Sequence, residues 1–280
     1  MRTFLQLLLT SYKRFHDKNG VQMAASLSFF TLFATGPVLI IMITLLGIFL
    51  SNEQTFTSIQ IQLQTLTGTA HTTLFTDVYR NIIRHPLPSF MHYLLNFVLL
   101  MVTATTVIRY LQKSINALWD IPPEHKLSFG KKIHKRIIAS LFLLFLSLLV
   151  ILAFVINTFI SFVEYFIGID FTSFFLISSL LSFISETIFF FLVFKYFPDA
   201  DIESKNVVLG ACITGLLFML GRHLVSTYLG SVNYASVYGA AGSLVGFLAW
   251  IYYSYLIFLF GAAFTYVYAK TYGRGVQHLS

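Results

Sequence analysis

The sequence is poor in the residues on which soluble folds and enzyme sites depend. Only 10% of its 280 residues are charged, against about 25% in an average soluble domain. One cysteine, Cys212, permits neither an internal disulfide nor a thiolate metal site. The eight histidines include no pair at i, i+4, and HExxH, GxSxG and Gly-rich phosphate-binding motifs are missing. We therefore predict that the chain is not an enzyme and has no catalytic residue, metal or cofactor.

What the sequence has in excess is apolar length. Hydrophobic residues make up 57% of it, and 31 residues are phenylalanine. A helix needs about 20 apolar residues to cross a bilayer, and six stretches meet that length. The predicted spans are 24–50, 90–108, 137–162, 171–197, 207–229 and 238–269. The expected fold is all-α, a polytopic membrane protein with one transmembrane domain over residues 24–270.

The positive charges predict the orientation of these spans. Fifteen of the 18 Lys and Arg residues fall in the first 23 residues, the connections 109–136 and 195–205, and the tail from residue 270. Cytoplasmic loops carry such an excess, so both termini, including the tail 271–280, are expected in the cytoplasm. This charge pattern is typical of a multi-pass membrane protein.

The same basic residues indicate which partners to expect. They lie next to span ends, where anionic lipid headgroups on the cytoplasmic face can neutralise them. The net charge of +7 also suggests nucleic acid, but no aromatic-interleaved RNA-binding motif accompanies it. We expect membrane lipids and no nucleic acid as partners, and a homo-oligomer remains open.

Two amphipathic segments flank the first span. Within residues 1–23, Leu5, Leu8, Tyr12 and Phe15 recur at helical spacing, which predicts a helix on the cytoplasmic interface or, equally, a solvated helix packed on the bundle. Residues 51–89 are predicted to form two external amphipathic helices, although the alternation in 59–64 also fits a strand.

Glu186 is the one acidic residue deep in a predicted span. A carboxylate there costs roughly 2.5–3.5 kcal/mol on insertion scales, so it should face the bundle interior. Ser178, Ser182 and Ser185 form a stripe beside it. The group is either an ionisable site on a polar path or a protonated carboxyl bonded to a neighbouring helix. No basic residue at equal depth offers a counter-ion.

Other polar and small residues predict a hinge and packing faces. The first span carries Ser28, Thr31 and Thr35 on one face, followed by Gly36-Pro37, which predicts a kink or a broken helix. Small-residue faces allow helices to approach closely, and Asn96 can bond between helices. The predicted packing residues are Gly242 and Gly246 on the sixth span, and Ala211 and Gly215 on the fifth.

Four stretches resemble the YihY/virulence factor BrkB family of inner-membrane proteins, whose older label is ribonuclease BN. They are 24–31 running into Gly36-Pro37, 111–119, 208–211 through Gly221-Arg222, and 238–243 through 261–265. The resemblance implies six spans, cytoplasmic termini, and a transport-type or envelope-maintenance role in which lipid is one candidate substrate. Many relatives carry an acidic residue where this chain has Ala263, so any role of that carboxylate is absent here.

Three functions follow for testing. The first is a secondary transporter or a translocator of lipid or another envelope component, with Glu186 as the ionisable group, the serine stripe on the path and 35–37 as hinge. The second is a non-transporting envelope-maintenance or scaffold protein. The third, a remote alternative, is the ribonuclease of the old label, for which the basic connection offers only Asp120, Glu124, His125 and His134.

Overall fold

The computed structural model describes residues 4–49, 90–122, 174–231, 242–273, 275 and 277–278. These ranges contain six helices and two short strands. The helices are α1 (Phe4–Asp17), α2 (Gly20–Phe49), α3 (Phe90–Leu118), α4 (Phe174–Tyr196), α5 (Ser204–Ser231) and α6 (Gly242–Tyr272); the strands are β1 (Ala200–Asp201) and β2 (Gln277–His278). The expectation of a helical fold is thus confirmed, apart from the two-residue strands.

The described residues include some of the six predicted spans but not all of them. Within the described residues, Ser204–Arg222 and Leu244–Tyr272 are long and apolar enough to cross a membrane. The predicted span 137–162 and the external helices in 51–89 lie outside the described residues. The six-span topology therefore stays a prediction.

Helices α2 and α3 differ from the sequence prediction, α3 in its length and α2 in its continuity. Helix α3 continues ten residues past the predicted end of its span at Ile108, into the segment expected to be a cytoplasmic connection. Helix α2 is continuous with Pro37 inside it, so the broken helix offered as an alternative to a kink does not occur. A proline removes one backbone hydrogen bond, and the bonds on either side suffice to continue the helix.

Helix α6 is the centre of the described structure. It packs against α1, α2, α3 and α5, whereas α4 packs mainly against α5. The core between them contains many aromatic rings. Phe258 of α6 lies 5.2 Å from Phe194 and 6.1 Å from Phe190, both on α4, measured between ring centroids.

Helices α5 and α6 cross at two reciprocal glycine–threonine contacts. A Cβ atom added to Gly210 would overlap the Thr265 side chain, and one added to Gly261 would overlap Thr214. Each threonine hydroxyl donates to its own helix, Thr214 to the Gly210 carbonyl at 2.6 Å and Thr265 to the Gly261 carbonyl at 2.8 Å. Because both hydroxyls are satisfied internally, the antiparallel helices approach closely without leaving a buried polar group unpaired.

The strands connect the tail to the α4–α5 link. Strand β2 pairs antiparallel with β1, with Ala200 opposite His278 and Asp201 opposite Gln277. Part of the tail 271–280 therefore belongs to the folded structure.

Candidate functional site

Glu186 forms an ion pair with Arg222 between α4 and α5. A carboxylate oxygen of Glu186 lies 2.9 Å from a guanidinium nitrogen of Arg222, and the side chains are 16% and 27% exposed, respectively. The prediction that no basic residue offers a counter-ion is therefore wrong. The expectation that Glu186 faces another helix rather than the outside agrees with its position.

The two side chains meet because they lean toward each other. Gly215 of α5 lies opposite Thr187 of α4, which fixes a common level on the two helices. From that level, Arg222 is seven residues further along α5. Glu186 is one residue earlier on α4, which is displaced in the same direction because the helices are antiparallel. At 1.5 Å per residue, the two Cα atoms are offset by about 9 Å along antiparallel axes. Helical side chains point toward their own N-terminus. Because the two helices are antiparallel, Arg222 and Glu186 therefore lean toward each other and close this offset.

The ion pair is only partly satisfied. The second carboxylate oxygen of Glu186 and the hydroxyl of neighbouring Thr187 are both buried and have no hydrogen-bond partner among the described residues. A buried polar group without a partner costs roughly 1–3 kcal/mol. The pair is thus a polar element that can accept further hydrogen bonds.

The predicted serine stripe beside the ion pair is described only in part. Ser185 is exposed, and its hydroxyl donates to the Ser182 carbonyl of the same helix at 2.9 Å. Ser182 is half-buried, while the side chain of Ser178 lies outside the described part of the chain. Among the described stripe residues, only the neighbouring Glu186 is shown in contact with α5.

The polar face of the first span contacts α6 at one point. The Thr31 and Tyr255 hydroxyls share a hydrogen bond of 2.8 Å between α2 and α6. Ser28 is buried and donates to the Ala24 carbonyl, and Thr35 donates to the Thr31 carbonyl. Among the described residues, no atom lies within 4 Å of the position that a Gly36 Cβ would occupy. Asn96 lies on α3, but its side chain is outside the described residues.

The predicted packing residues occupy two faces. Ala211 and Gly215 are buried on α5, and Gly215 faces Thr187 and Phe183 of α4. Gly246 is buried on α6, whereas Gly242 begins that helix and its surroundings are not described. Sequence reasoning missed the tighter Gly210–Thr265 and Gly261–Thr214 contacts. The signal for them was present, a glycine followed four residues later by threonine on both helices.

A second polar cluster closes the ends of α1, α3 and α6. Helix α3 ends in a Schellman motif, in which Ile121 N–H donates to the Asn116 carbonyl at 2.9 Å and Asp120 N–H to the Ala117 carbonyl at 3.4 Å. Asp120 has φ 55°, the left-handed conformation that usually requires glycine. Its carboxylate then projects toward α1 and α6.

Asp120 is held by three side chains, which come from α1, the turn that follows α1, and α6. It accepts hydrogen bonds from Arg14 at 2.7 Å and from the Tyr266 hydroxyl at 3.1 Å, and it contacts the Lys18 ammonium. The Arg14 guanidinium also stacks on the Tyr266 ring at 3.6 Å. Partial burial acts to raise the pKa of Asp120, but the hydrogen bonds from Arg14 and Lys18 outweigh it and hold that pKa well below its usual value.

Residues next to Asp120 connect α3 to its other neighbours. The buried Trp119 indole donates to the Ala262 carbonyl of α6 at 2.9 Å. Asn116 donates to Asp199 at 2.7 Å and accepts from the Asp199 backbone N–H at 3.1 Å. Ala263, where many relatives are acidic, is fully buried beside Ala262. The cluster therefore fixes α1, α3, α6 and the α4–α5 link at one end of the molecule.

The described residues give little support to metal binding or to ribonuclease activity. Within those ranges no group of three His, Cys, Asp or Glu side chains is placed to hold a metal ion. Of the four residues offered for ribonuclease chemistry, Asp120 is occupied by Arg14, Lys18 and Tyr266. The other three, Glu124, His125 and His134, lie outside the described part of the chain.

Comparison with known proteins gives a family over most of the chain. The family described as "Virulence factor BrkB" matches residues 11–279. A "UPF0761 membrane protein" of Coxiella burnetii is 24% identical over 274 residues, which cover 92% of this chain and 91% of that protein. A protein of the same description from Pseudomonas paraeruginosa is 26% identical over 263 residues, or 89% of this chain.

Coverage differs among these relatives. The chain spans 59% of the length of the Pseudomonas protein. A "UPF0761 membrane protein" of Idiomarina loihiensis is 34% identical, but over 83 residues only, 29% of either chain. No solved structure matches the chain.

Proposed function

The chain belongs to the virulence factor BrkB family of bacterial membrane proteins, and on that premise we propose that it is a translocator of a lipid or another envelope component. This membership agrees with the resemblance in the sequence. The transported species is proposed to carry an anionic group. The ionisable element of the path is the Glu186–Arg222 ion pair.

The ion pair is the observation that supports this proposal. Charges within membrane-spanning helices are costly and mark ion or substrate pathways by default. A buried ion pair is also seldom a net source of stability, because desolvation offsets the attraction. The second carboxylate oxygen of Glu186 has no hydrogen-bond partner among the described residues, which lowers the stability that this pair can contribute to the fold. A function that exchanges partners on Arg222 accounts for it better than packing does.

The chemistry of Arg222 indicates the substrate class. A guanidinium binds carboxylates and phosphates through paired donors and stays charged at any physiological pH. While Glu186 is ionised, the pair is neutral and Arg222 is occupied. When Glu186 takes up a proton, Arg222 is free to bind the phosphate or carboxylate of a substrate, so movement of the anion is coupled to movement of a proton.

The topology forms part of the proposal. We place the protein in the plasma (inner) membrane with six spans and both termini in the cytoplasm. The concentration of Lys and Arg on that side supports this placement. The clustering of α1, the end of α3 and the end of α6 around Asp120 supports it too, because the proposed orientation brings those ends to the same face.

A lipid-flipping assay tests the proposal. The purified protein is reconstituted in liposomes that contain a trace of NBD-labelled phosphatidylglycerol, and dithionite reports movement of the label between leaflets. We expect faster exposure of the label than in protein-free liposomes, and loss of the acceleration in Arg222→Gln. Glu186→Gln should retain movement but lose its dependence on pH. The control is Thr106→Ala, whose hydroxyl donates to the Val102 carbonyl of its own helix.

A non-transporting scaffold is the second candidate, and one observation favours it. The reciprocal Gly210–Thr265 and Gly261–Thr214 contacts make α5 and α6 a closely fitted pair, which suits a rigid framework. If the protein is a scaffold, neither NBD-phosphatidylglycerol nor NBD-phosphatidylcholine moves faster than in protein-free liposomes. Arg222→Gln then changes only stability.

A further inference from the structure

Helix α1 carries three distinct faces. Leu7, Ser11 and Phe15 are buried. Leu5, Leu9 and Tyr12 form a second face at i, i+4 and i+7, with each side chain 60–65% exposed. Gln6, Thr10, Lys13 and Asp17 form a polar face. At 100° per residue the three faces are roughly 120° apart, so each side of the helix meets a different environment.

The first face meets the protein. Phe15 packs edge-on against Phe260 of α6 with 6.4 Å between ring centroids. The Ser11 hydroxyl is satisfied by the Leu7 carbonyl at 2.7 Å, so it needs no partner from α6. The ion pairs of Arg14 and Lys18 with Asp120 then hold the same side of α1 on the bundle.

Helix α1 crosses α6 steeply. Phe4 lies against Phe264 and Phe15 against Phe260, both with 6.4 Å between ring centroids. These α1 residues are about 16 Å apart along their helix axis, whereas their partners are only about 6 Å apart along α6. Parallel axes would keep the two spacings nearly equal, so the axis of α1 is inclined to that of α6. Since Leu244–Tyr272 of α6 is apolar and long enough to span a membrane, α1 lies closer to the membrane plane, against the C-terminal half of that span.

Arg14 and Lys18 pair with Asp120 just past the end of α3. Charged groups of this kind are costly within the hydrocarbon region, so the exposed apolar face of α1 is at the depth of a lipid interface. Interfacial helices combine an apolar face that enters the headgroup–acyl boundary with basic residues that meet anionic lipids. Within residues 4–18, Lys13, Arg14 and Lys18 outweigh Asp17, and the charge stays positive after Asp120 is counted. Water is a poor environment for this face, because burying a leucine side chain contributes about 1.5–3 kcal/mol.

We propose that α1 is a membrane-interface wedge: its Leu5–Leu9–Tyr12 face enters one leaflet of an anionic bilayer, while its Leu7–Ser11–Phe15 face stays on α6. The bilayer thus completes the packing of α1. Whether the protein transports anything does not affect this inference.

Site-directed fluorescence in the full chain tests the wedge. Cys212 is the only cysteine, so Cys212→Ala gives a background in which a single new cysteine can carry NBD. Leu9→Cys probes the apolar face and Thr10→Cys, one residue on, probes the polar face. The labelled proteins are reconstituted in phosphatidylethanolamine–phosphatidylglycerol liposomes, with doxyl-labelled lipid as the membrane quencher and iodide as the aqueous quencher.

The expected result is opposite quenching at neighbouring positions. NBD on Leu9→Cys should be quenched by shallow doxyl lipid and be several-fold less sensitive to iodide than NBD on Thr10→Cys. Equal sensitivity to iodide would place the face in water and overturn the proposal. Protection from both quenchers would mean that protein covers the face, a second copy included, and would also overturn it. Tyr12→Cys and Lys13→Cys repeat the comparison if the first pair fails to fold.

Discussion

Gly261→Ala should weaken the contact between α5 and α6. The added Cβ would overlap the Thr214 hydroxyl and lie 2.8 Å from the Thr214 Cβ and Cγ2, whereas ordinary contact begins at 3.4 Å. Thr214 cannot turn away freely, because it is fully buried and its hydroxyl donates to the Gly210 carbonyl. The helices must therefore separate, or this hydrogen bond must break.

The expected loss of stability is the balance of two destabilising contributions and one stabilising contribution. Overpacking a well-packed core costs typically about 1–3 kcal/mol, and loss of the Thr214 hydrogen bond adds about 0.5–1.5 kcal/mol. Alanine is favoured over glycine inside a helix by about 0.8–1.0 kcal/mol. The net destabilisation is roughly 1–3 kcal/mol, which corresponds to a loss of roughly 3–10 °C in the unfolding temperature.

Heating the detergent-solubilised protein and measuring the fraction that stays monodisperse by size exclusion gives this temperature. Gly36→Ala is the matched control. In the part of the chain that the structure describes, nothing lies within 4 Å of the Cβ added at this helical glycine, so this variant should be unchanged or slightly stabilised. Thr214→Ala should recover much of the loss in the Gly261→Ala background. If Gly261→Ala melts at or above the temperature of Gly36→Ala, the close approach does not constrain the helices and the reasoning is refuted.

Two further predictions concern the ion pairs. Asp120→Asn keeps a side chain that tolerates φ 55° but removes the charge. The wild type should be more stable than this variant by about 1 kcal/mol, because the Asp120 side chain is 45% exposed. Since its partners lower the pKa of Asp120, this difference in stability is full above about pH 4 and shrinks as the pH falls below that. Unfolding temperatures between pH 3 and 7 measure this, and an advantage that grows on acidification would contradict it. At pH 7, Glu186→Gln should be more destabilising than Arg222→Gln, because an unpaired arginine cannot lose its charge whereas an unpaired glutamate can take up a proton. The loss of stability in Glu186→Gln should reach up to about 3–5 kcal/mol, the cost of leaving one charge of a buried pair without its partner. Equal losses in the same assay would argue that the pair is not desolvated.

The sequence predicted local features better than contacts between distant segments. The spacing of apolar residues in 1–23 predicted an amphipathic helix, and α1 is that helix. The small residues Ala211 and Gly215 predicted a packing face on α5; both are buried, and Gly215 faces α4. Both depend on periodicities within a few helical turns, and these are visible in a single sequence.

The Glu186–Arg222 pair was missed because it depends on the register between two helices. Apolar periodicity does not fix how far α5 is offset along α4, and the offset of about 9 Å is closed by the directions and lengths of the side chains. The role of Asp120 was missed for a similar reason. Its left-handed conformation and its partners on α1 and α6 arise only when three helix ends meet.

The central position of α6 has a consequence for biogenesis. Among the described helices, α1, α2, α3 and α5 all pack against α6, yet a ribosome synthesises α6 after every one of them. In the proposed topology, the earlier spans therefore wait in the bilayer with the surfaces that contact α6 uncovered until α6 is synthesised. Premature termination before residue 242 would leave a product that quality-control proteases should recognise and degrade.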